Sequence, residues 1–188
     1  MDIIELIIAM IAFILPAYFG NMAPVFVGGG PPMDRGIVWK DGRRLLGAGK
    51  TWRGFFGGIS VAAIIGMIIG LAGFYDKKFV ENGVVYGIFK DSMLLEPVLI
   101  GLFLGFLQGF GALVGDAAGS FIKRRKDIER GGPFWGLDQL GFVVLAMVFA
   151  YPFYAWPLEY VVIVPVTFFV HLGANATGYL LGLKDVPW

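Results

Sequence analysis

Long stretches without a charged residue run through most of this sequence. A helix needs roughly 20 apolar residues to cross about 30 Å of membrane hydrocarbon. Four stretches meet that length: residues 54–75, 97–115, 139–158 and 160–183. A fifth, residues 3–28, is interrupted by Pro16 and Pro24. We therefore predict an all-α integral membrane protein with about five transmembrane helices, forming a single domain over residues 1–188.

The composition agrees with a chain that is covered largely by lipid. Hydrophobic residues make up 57% of the chain and charged residues 15%, and the mean hydropathy is +0.76. Soluble domains carry about 25% charged residues, so this chain has too few charges to cover a surface in water. It has no cysteine, which excludes disulfides and thiolate metal sites, and a single histidine, His171, which argues against zinc.

The basic residues lie mainly in two segments between predicted spans, residues 31–53 and 116–138. They are Arg35, Lys40, Arg43, Arg44, Lys50 and Arg53 in the first segment, and Lys123, Arg124, Arg125, Lys126 and Arg130 in the second. The loop from 76 to 96 balances three lysines with four acidic residues, and the turn at Glu159 has no basic residue. The positive-inside rule therefore predicts two basic cytoplasmic loops in a multi-pass protein of the cell membrane, with the N-terminus outside and the C-terminus in the cytoplasm.

Glycines recur at a spacing of four residues within the predicted spans. Small residues at this spacing let helix backbones approach closely in lipid. We interpret them as packing surfaces rather than as functional sites. The glycines concerned are Gly66 and Gly70, then Gly101, Gly105 and Gly109, then Gly111, Gly115 and Gly119.

The clearest candidate site begins where the third predicted span ends. On a continuous helix, Asp116, Ser120, Lys123 and Asp127 stand at i, i+4, i+7 and i+11 and share one face. A carboxylate, a hydroxyl and an ammonium in line are groups that hold Mg²⁺ and a polyphosphate together. The alternative is a basic stop sequence after a transmembrane helix, with Asp116 paired to a lysine.

A second carboxylate, Asp138, precedes the fourth predicted span at the same membrane face. Two carboxylates that face each other across a polar pocket can hold Mg²⁺ beside phosphates. The alternative is that Asp138 is the N-cap of the next helix, for which aspartate is well suited.

The segment Gly47-Ala48-Gly49-Lys50-Thr51-Trp52-Arg53-Gly54 is similar to the end of a P-loop. Arg44 stands where the first glycine of that motif is required, and no strand pattern precedes it, so we reject a P-loop. Lys50, Thr51 and Arg53 still lie at the mouth of a span and suit phosphate binding. Anchoring under the positive-inside rule remains an alternative for each of them.

Polar residues inside the spans leave a second class of function open. Asn21, Gln108, His171 and Asn175 fit hydrogen bonds between helices, and they also fit the pathway of a small transporter or channel. Against a transporter, the charges are concentrated on one membrane face, and no pair of corresponding interrupted spans suggests inverted repeats. His171 is not predicted to be a catalytic base.

Taken in order, the motifs resemble those of the membrane-bound CTP:phosphatidate cytidylyltransferases and, more closely, of their archaeal relatives, the CDP-archaeol synthases. The likeness runs over essentially the whole chain. Three motifs carry it first: Lys50-Thr51-x-x-Gly54, Gly115-Asp116-x-x-x-Ser120-x-x-Lys123-Arg124 and Leu137-Asp138. The others are Asn21-Met22-x-Pro24, Pro32-x-Asp34, Asp41-Gly42-x-Arg44-x-Leu46-Gly47, Asp138-Gln139-Leu140 and Leu183-Lys184-x-Val186-Pro187-Trp188.

The resemblance implies a Mg²⁺-dependent transfer of CMP from CTP to the phosphate of an unsaturated isoprenoid ether lipid in the bilayer, giving CDP-archaeol and pyrophosphate. It implies that Asp116 and Asp138 are metal carboxylates and that they act in catalysis with Lys123. The candidate substrate-binding residues are Lys50, Thr51, Arg53, Ser120, Arg124, Arg43 and Asn21. No nucleic-acid partner is expected, and a homodimer is left open.

The sequence departs from the family pattern at two places. The family usually continues Asp-Gln-Leu-Asp, but Gly141 stands in place of the second aspartate, so one expected metal carboxylate is missing. One metal ion or two therefore stays open. Lys126-Asp127 comes too early to align with the Lys-Asp pair of the phosphatidate enzymes.

Overall fold

In the computed structural model, which describes residues 2–75, 81–82, 96–129 and 131–182, the chain is helical. The helices are α1 (Ile3–Met22), α2 (Pro24–Val27), α3 (Trp52–Leu71), α4 (Glu96–Arg125), α5 (Leu137–Ala150), a short 3-10 helix (Leu158–Val162) and α6 (Ile163–Leu180). Within the described ranges, β-type pairing is limited to two isolated bridges, Pro32–Thr51 and Val38–Arg44. Arg130, most of the loop from 76 to 96 and the motif from Leu183 to Trp188 lie outside these ranges.

Within the described part of the chain, four helical segments are long and apolar enough to cross a membrane: Ile3–Val27, Trp52–Leu71, Pro97–Arg125 and Leu158–Leu180. A shorter apolar helix, Leu137–Ala150, accompanies them. The prediction of an all-α membrane protein is confirmed, with four full-length spans and one short helix.

The fourth predicted span, residues 139–158, differs most from the structure. Helix α5 has 14 residues and ends at Ala150, which at 1.5 Å per residue gives about 21 Å. Pro152 lacks the amide hydrogen that a continuing helix needs. The chain turns back after it, and the Trp156 indole donates a hydrogen bond to the Met147 carbonyl at 3.2 Å.

The third predicted span, residues 97–115, continues well past its hydrophobic part. Helix α4 has 30 residues and ends at Arg125, so Asp116, Ser120 and Lys123 lie on it. Asp127 does not, because the helix has ended and its backbone has the left-handed φ of 62°. The prediction that Asp127 shares a helix face with Asp116, Ser120 and Lys123 is therefore wrong.

The first predicted span, residues 3–28, is two helices placed end to end. Pro16 lies inside α1 without ending it, and Pro24 is at the start of α2, where a missing amide hydrogen costs little. Asn21 lies in the last turn of α1 and therefore at the same end of the bundle as the first basic segment.

Close backbone contacts hold the central helices together. A Cβ added at Gly66 of α3 would overlap the Gly101 carbonyl of α4, and one added at Gly115 of α4 would overlap the Gly141 carbonyl of α5. Both contacts confirm that the spaced glycines are packing positions. Helix α4 also packs against α1 and is the central element of the bundle. At its C-terminal end it meets the residues that precede α3 and α5.

Candidate functional site

The two candidate metal carboxylates meet at one small cavity. Asp116 reaches it from α4 and Asp138 from the first turn of α5, and Asn21 at the end of α1 lines the same space. The Oδ1 atom of Asn21 is buried and has no hydrogen-bond partner among the residues that the structure describes. Three separate helices therefore bring two carboxylates and one uncommitted amide oxygen together, as the sequence predicted for the carboxylates.

Each carboxylate is neutralised by a lysine. The Lys50 ammonium contacts Asp116 Oδ2, and the Lys123 ammonium donates to both oxygens of Asp138 at 2.8 and 3.0 Å. The side chain of Lys123 is only 14% exposed. Asp116 does pair with a lysine, but that lysine comes from the first basic segment and not from the basic run that follows it, so the pair joins two distant parts of the chain.

Asp138 has a local structural role as well, but it is not the N-cap of α5. Gly136 holds that position with a φ of 84°. The Asp138 carboxylate instead accepts the Phe134 amide at 2.9 Å. Its negative charge in the first turn also interacts favourably with the helix dipole.

The first basic segment also reaches Asp116. Thr51 is the N-cap of α3, and its hydroxyl accepts the Gly54 amide at 3.1 Å. A second cavity beside it is lined by Met33, Gly49, Lys50, Thr51, Phe55 and Asp116, among other residues. Lys50 and Thr51 therefore lie beside Asp116, and the Thr51 hydroxyl already caps the N-terminus of α3.

Ser120, Arg124 and Arg53 are the remaining hydroxyl and cationic candidates that the sequence predicted for this site. Ser120 and Arg124 follow Asp116 along α4, and the Nε of Arg124 is buried without a hydrogen-bond partner in the described part of the chain. Arg53 is exposed in the first turn of α3. The Arg124 Nε and the exposed Arg53 guanidinium are donors of the kind that bind an anionic ligand.

Arg43 lies differently from the other candidates, in a clasp between the first basic segment and the end of α4. Its Nη1 donates to the Arg125 carbonyl at 2.9 Å, and it pairs with Asp127 at 3.3 Å. In return, Arg125 donates to the Arg44 carbonyl at 2.7 Å and pairs with Asp41 at 2.9 Å. The sequence did not predict this clasp, because its contacts join residues more than eighty positions apart.

Asp34 is a further buried acid in the first basic segment, and the sequence did not predict a structural role for it. Its carboxylate is enclosed and lies beside Arg44. The Arg44 guanidinium, together with the amides of Gly47, Gly36 and Leu46, holds the pKa of Asp34 well below its usual range. The position of Asp34 directly before Arg35-Gly36, where the chain turns, was the sequence feature that could have indicated this role.

An apolar cleft of about 620 Å³ opens between α4 and α5. Its lining is almost entirely hydrophobic and includes Leu140, Gly141, Val144 and Trp135. Gly119 and Leu137 line both this cleft and the cavity of the two carboxylates. An apolar surface therefore continues directly into the charged site.

The donor set suits a hard cation. Among the residues that the structure describes, no three His, Cys, Asp or Glu side chains gather at one point. The oxygens of Asp116, Asp138 and Asn21 are the ligand type that Mg²⁺ prefers, and Mg²⁺ usually keeps several waters. His171 is hydrogen-bonded to Asn175 at 3.0 Å within α6.

Comparison with known proteins gives matches over nearly the whole chain. A sequence model of the CarS-like family, described as CDP-archaeol synthase, matches residues 3–188. The chain is 46% identical over 177 residues to the CDP-archaeol synthase of Thermococcus kodakarensis, covering 94% of this chain and 93% of that one. It is 43% identical over 185 residues to the CDP-archaeol synthase of Methanocaldococcus jannaschii, covering 98% of both.

A solved structure described as an intramembrane enzyme for archaeal membrane lipids biosynthesis has a TM-score of 0.67 and 36% sequence identity, covering 88% of this chain and 91% of that chain. The helical fold and the charged site at its end thus define an intramembrane enzyme. The chain belongs to the CarS-like family of CDP-archaeol synthases. The resemblance predicted from the motifs is confirmed, and a transporter or channel is set aside.

Proposed function

We propose that this enzyme transfers CMP from CTP to the phosphate of an unsaturated archaeal ether lipid, releasing pyrophosphate and forming CDP-archaeol. One observation carries the proposal beyond family membership. The cavity of Asp116, Asp138 and Asn21 is flanked by lysines and is continuous with an apolar cleft. A polyanion and a lipid chain would meet at such a junction.

Asp116, Asp138 and the amide oxygen of Asn21 would hold Mg²⁺ in this cavity. The unpartnered Asn21 Oδ1 supports the assignment, because a buried acceptor without a donor is costly unless a ligand satisfies it. The ion would supply positive charge to the phosphates. Because Gly141 stands where the family pattern has a second aspartate, one carboxylate fewer is present. The remaining side chains suit one protein-held ion better than two.

The chemistry is an in-line displacement at phosphorus. An oxygen of the lipid phosphate forms a bond to the α-phosphorus of CTP, and the bond from that phosphorus to the bridging oxygen of pyrophosphate breaks. The nucleophile is already ionised at neutral pH, so no general base is required. Two anions have to approach each other, and the main task of the protein is to neutralise their charge.

The basic side chains are arranged for that task. Lys50 and Lys123 reach the carboxylates from two different parts of the chain. The Arg124 Nε has no hydrogen-bond partner among the described residues, and Arg53 is exposed. On CTP binding, the two lysines would exchange part of their contact with Asp116 and Asp138 for phosphate oxygens. Ser120 adds a hydroxyl on the same face of α4.

The apolar cleft between α4 and α5 would take the isoprenoid chains of the acceptor, with the lipid phosphate at the end that Gly119 and Leu137 share with the charged cavity. The lipid then enters sideways from the bilayer. CTP arrives from the cytoplasm, where the positive-inside rule places both basic segments, with the N-terminus on the outside.

The proposal is tested with purified protein in detergent, labelled CTP, Mg²⁺ and an ether-lipid phosphate, with phosphatidic acid as a second acceptor and ATP as a second nucleotide. We expect a CDP-lipid and pyrophosphate in equal amounts, formed with CTP and with the unsaturated ether lipid preferred. Absence of product with every pair, or preference for ATP, would contradict the proposal.

A further inference from the structure

Asp34 is an enclosed carboxylate in a segment whose neighbouring residues are mostly exposed. It is 2% exposed, and both of its oxygens accept hydrogen bonds. Arg44 donates from Nε at 3.0 Å and from Nη2 at 2.8 Å. The amides of Gly36, Leu46 and Gly47 donate at 3.1, 3.0 and 2.9 Å. Together these charge-assisted hydrogen bonds tie Gly36, Leu46 and Gly47 to the same carboxylate, so that two distant stretches of the segment are held together.

The residues next to these bonds fix the backbone of Lys50. The Met33 amide, one residue before Asp34, donates to the Lys50 carbonyl at 2.7 Å. The Lys50 amide donates to the carbonyl of Gly47, whose own amide is bound by Asp34, at 3.3 Å. Both polar groups of the Lys50 peptide backbone are thus held by immediate neighbours of the Asp34 network.

The same network reaches α4 at a second place. The Arg44 side chain holds Asp34, and the Arg44 carbonyl accepts Arg125 Nη2 at 2.7 Å. The segment therefore meets α4 both at Asp116, through Lys50, and at Arg125. These two residues are roughly 14 Å apart along the helix axis at 1.5 Å per residue. Two contacts at that separation define the orientation of the segment as well as its distance from the helix.

We propose that Asp34 is a positioning residue for the nucleotide, which acts by holding the Lys50 ammonium in place to meet the phosphates of CTP. This inference rests on the proposed function, because it takes CTP as the ligand of Lys50. Asp34 is not a catalytic residue, since its carboxylate is enclosed and fully bonded within its own segment. The competing explanation is that Asp34 only stabilises the fold. The two explanations predict different effects of an Asp34 substitution on CTP affinity when Lys50 is absent.

The test is a double-mutant cycle on CTP binding to the purified full chain. Asp34→Asn removes the charge that binds Arg44 and should weaken CTP binding about tenfold, the size expected for losing charge-assisted hydrogen bonds. In a Lys50→Ala background, the same change should alter the affinity by less than about twofold, because its effect passes through Lys50. An equal loss in both backgrounds overturns the proposal.

Hydrogen exchange at the amides of Leu46 and Gly47 is a second test of the Asp34 network, and it needs no nucleotide. These amides should exchange faster in Asp34→Asn than in the wild type or in Glu159→Gln, an exposed acid in the turn before α6. Unchanged exchange would show that Asp34 does not hold the segment, and faster exchange with unaltered CTP affinity would overturn its role in binding.

The outcomes separate this inference from the proposed function. If wild-type protein and Lys50→Ala bind CTP equally well or not at all while the exchange result holds, the nucleotide assignment has failed and the structural network has not. If Asp34→Asn does not fold, Arg44→Gln makes the same test, since it keeps the amide bonds to Asp34 and removes the charged partner. An affinity of that variant equal to wild type would overturn the proposal.

Discussion

At the scale of single residues, the site is defined by pairs that the fold creates between distant parts of the chain. Lys50 pairs with Asp116 and Lys123 with Asp138. The identity of the charged residues was predictable, because charges at the end of a hydrophobic span are functional candidates. Their pairing was not, since it depends on how α3, α4 and α5 are placed against one another.

Lys123 and Lys126 offer a matched comparison on the same basic run. Lys123→Met should lower turnover on the order of 100-fold, because it removes a largely enclosed ammonium from beside Asp138. Lys126→Met should leave turnover close to wild type, because Lys126 is exposed and lies after the end of α4. Steady-state assays of both purified variants check this, and equal losses would show that only the total positive charge matters.

Asp34 gives the segment before α3 a defined dependence on pH. Its pKa is lowered in the folded protein, while an unfolded aspartate titrates near about 3.9. The stabilisation is therefore complete above roughly pH 5 and is lost progressively as the pH falls below about 4. Thermal unfolding of wild type and Asp34→Asn from pH 6 to pH 3 should show a stability difference that shrinks on acidification. A difference that is constant with pH would contradict this.

At the scale of the elements, hydropathy predicted that the spans exist but not where each helix ends. Helix α4 continues into a charged stretch, so hydrophobicity stops ten residues before the helix does. Helix α5 ends early because of Pro152 and a turn that is closed by Trp156. The spaced glycines were recognised as packing positions, and the structure adds a close partner for all of them except Gly119, which lines the cleft and the cavity instead.

The crossing of α4 and α5 at Gly115 and Gly141 sets the distance between Asp116 and Asp138. Gly115→Ala would place a Cβ against the Gly141 carbonyl and force the helices apart, at a cost of about 1–3 kcal/mol. Both the thermal stability in detergent and the activity should fall. Gly173→Ala in α6 is the control, because a Cβ there meets no neighbouring atom within 4 Å. Activity retained in Gly115→Ala would mean that the crossing does not set the site.

At the scale of the whole molecule, one bundle end joins a polar cavity to an apolar cleft. Helices α1, α4 and α5 each contribute to the cavity, and α4 and α5 form the cleft. The family and the general topology could be inferred from ordered motifs and hydropathy. The cleft could not, because it is a gap between two helices whose lining residues are unremarkable in the sequence.

Filling the cleft should affect the lipid substrate and not the nucleotide. Val144→Trp places a large ring in the cleft and should raise the apparent KM for the ether-lipid phosphate several-fold, roughly as expected for one blocked apolar subsite. Binding of CTP should be unaltered. Val148→Trp, one turn further along α5 and exposed, is the control. Equal effects of both variants would show that the acceptor chains lie elsewhere.

The activity of Asp116→Asn shows most directly whether the junction of cavity and cleft is the active site. This change keeps the shape of the side chain and removes the charge that we propose binds the cation there. With labelled CTP, Mg²⁺ and ether-lipid phosphate, the wild type should form a CDP-lipid, and the variant should form none while eluting as a folded protein in detergent. Substantial product from the folded variant would show that Asp116 does not bind the catalytic cation and that the reaction does not take place at this junction.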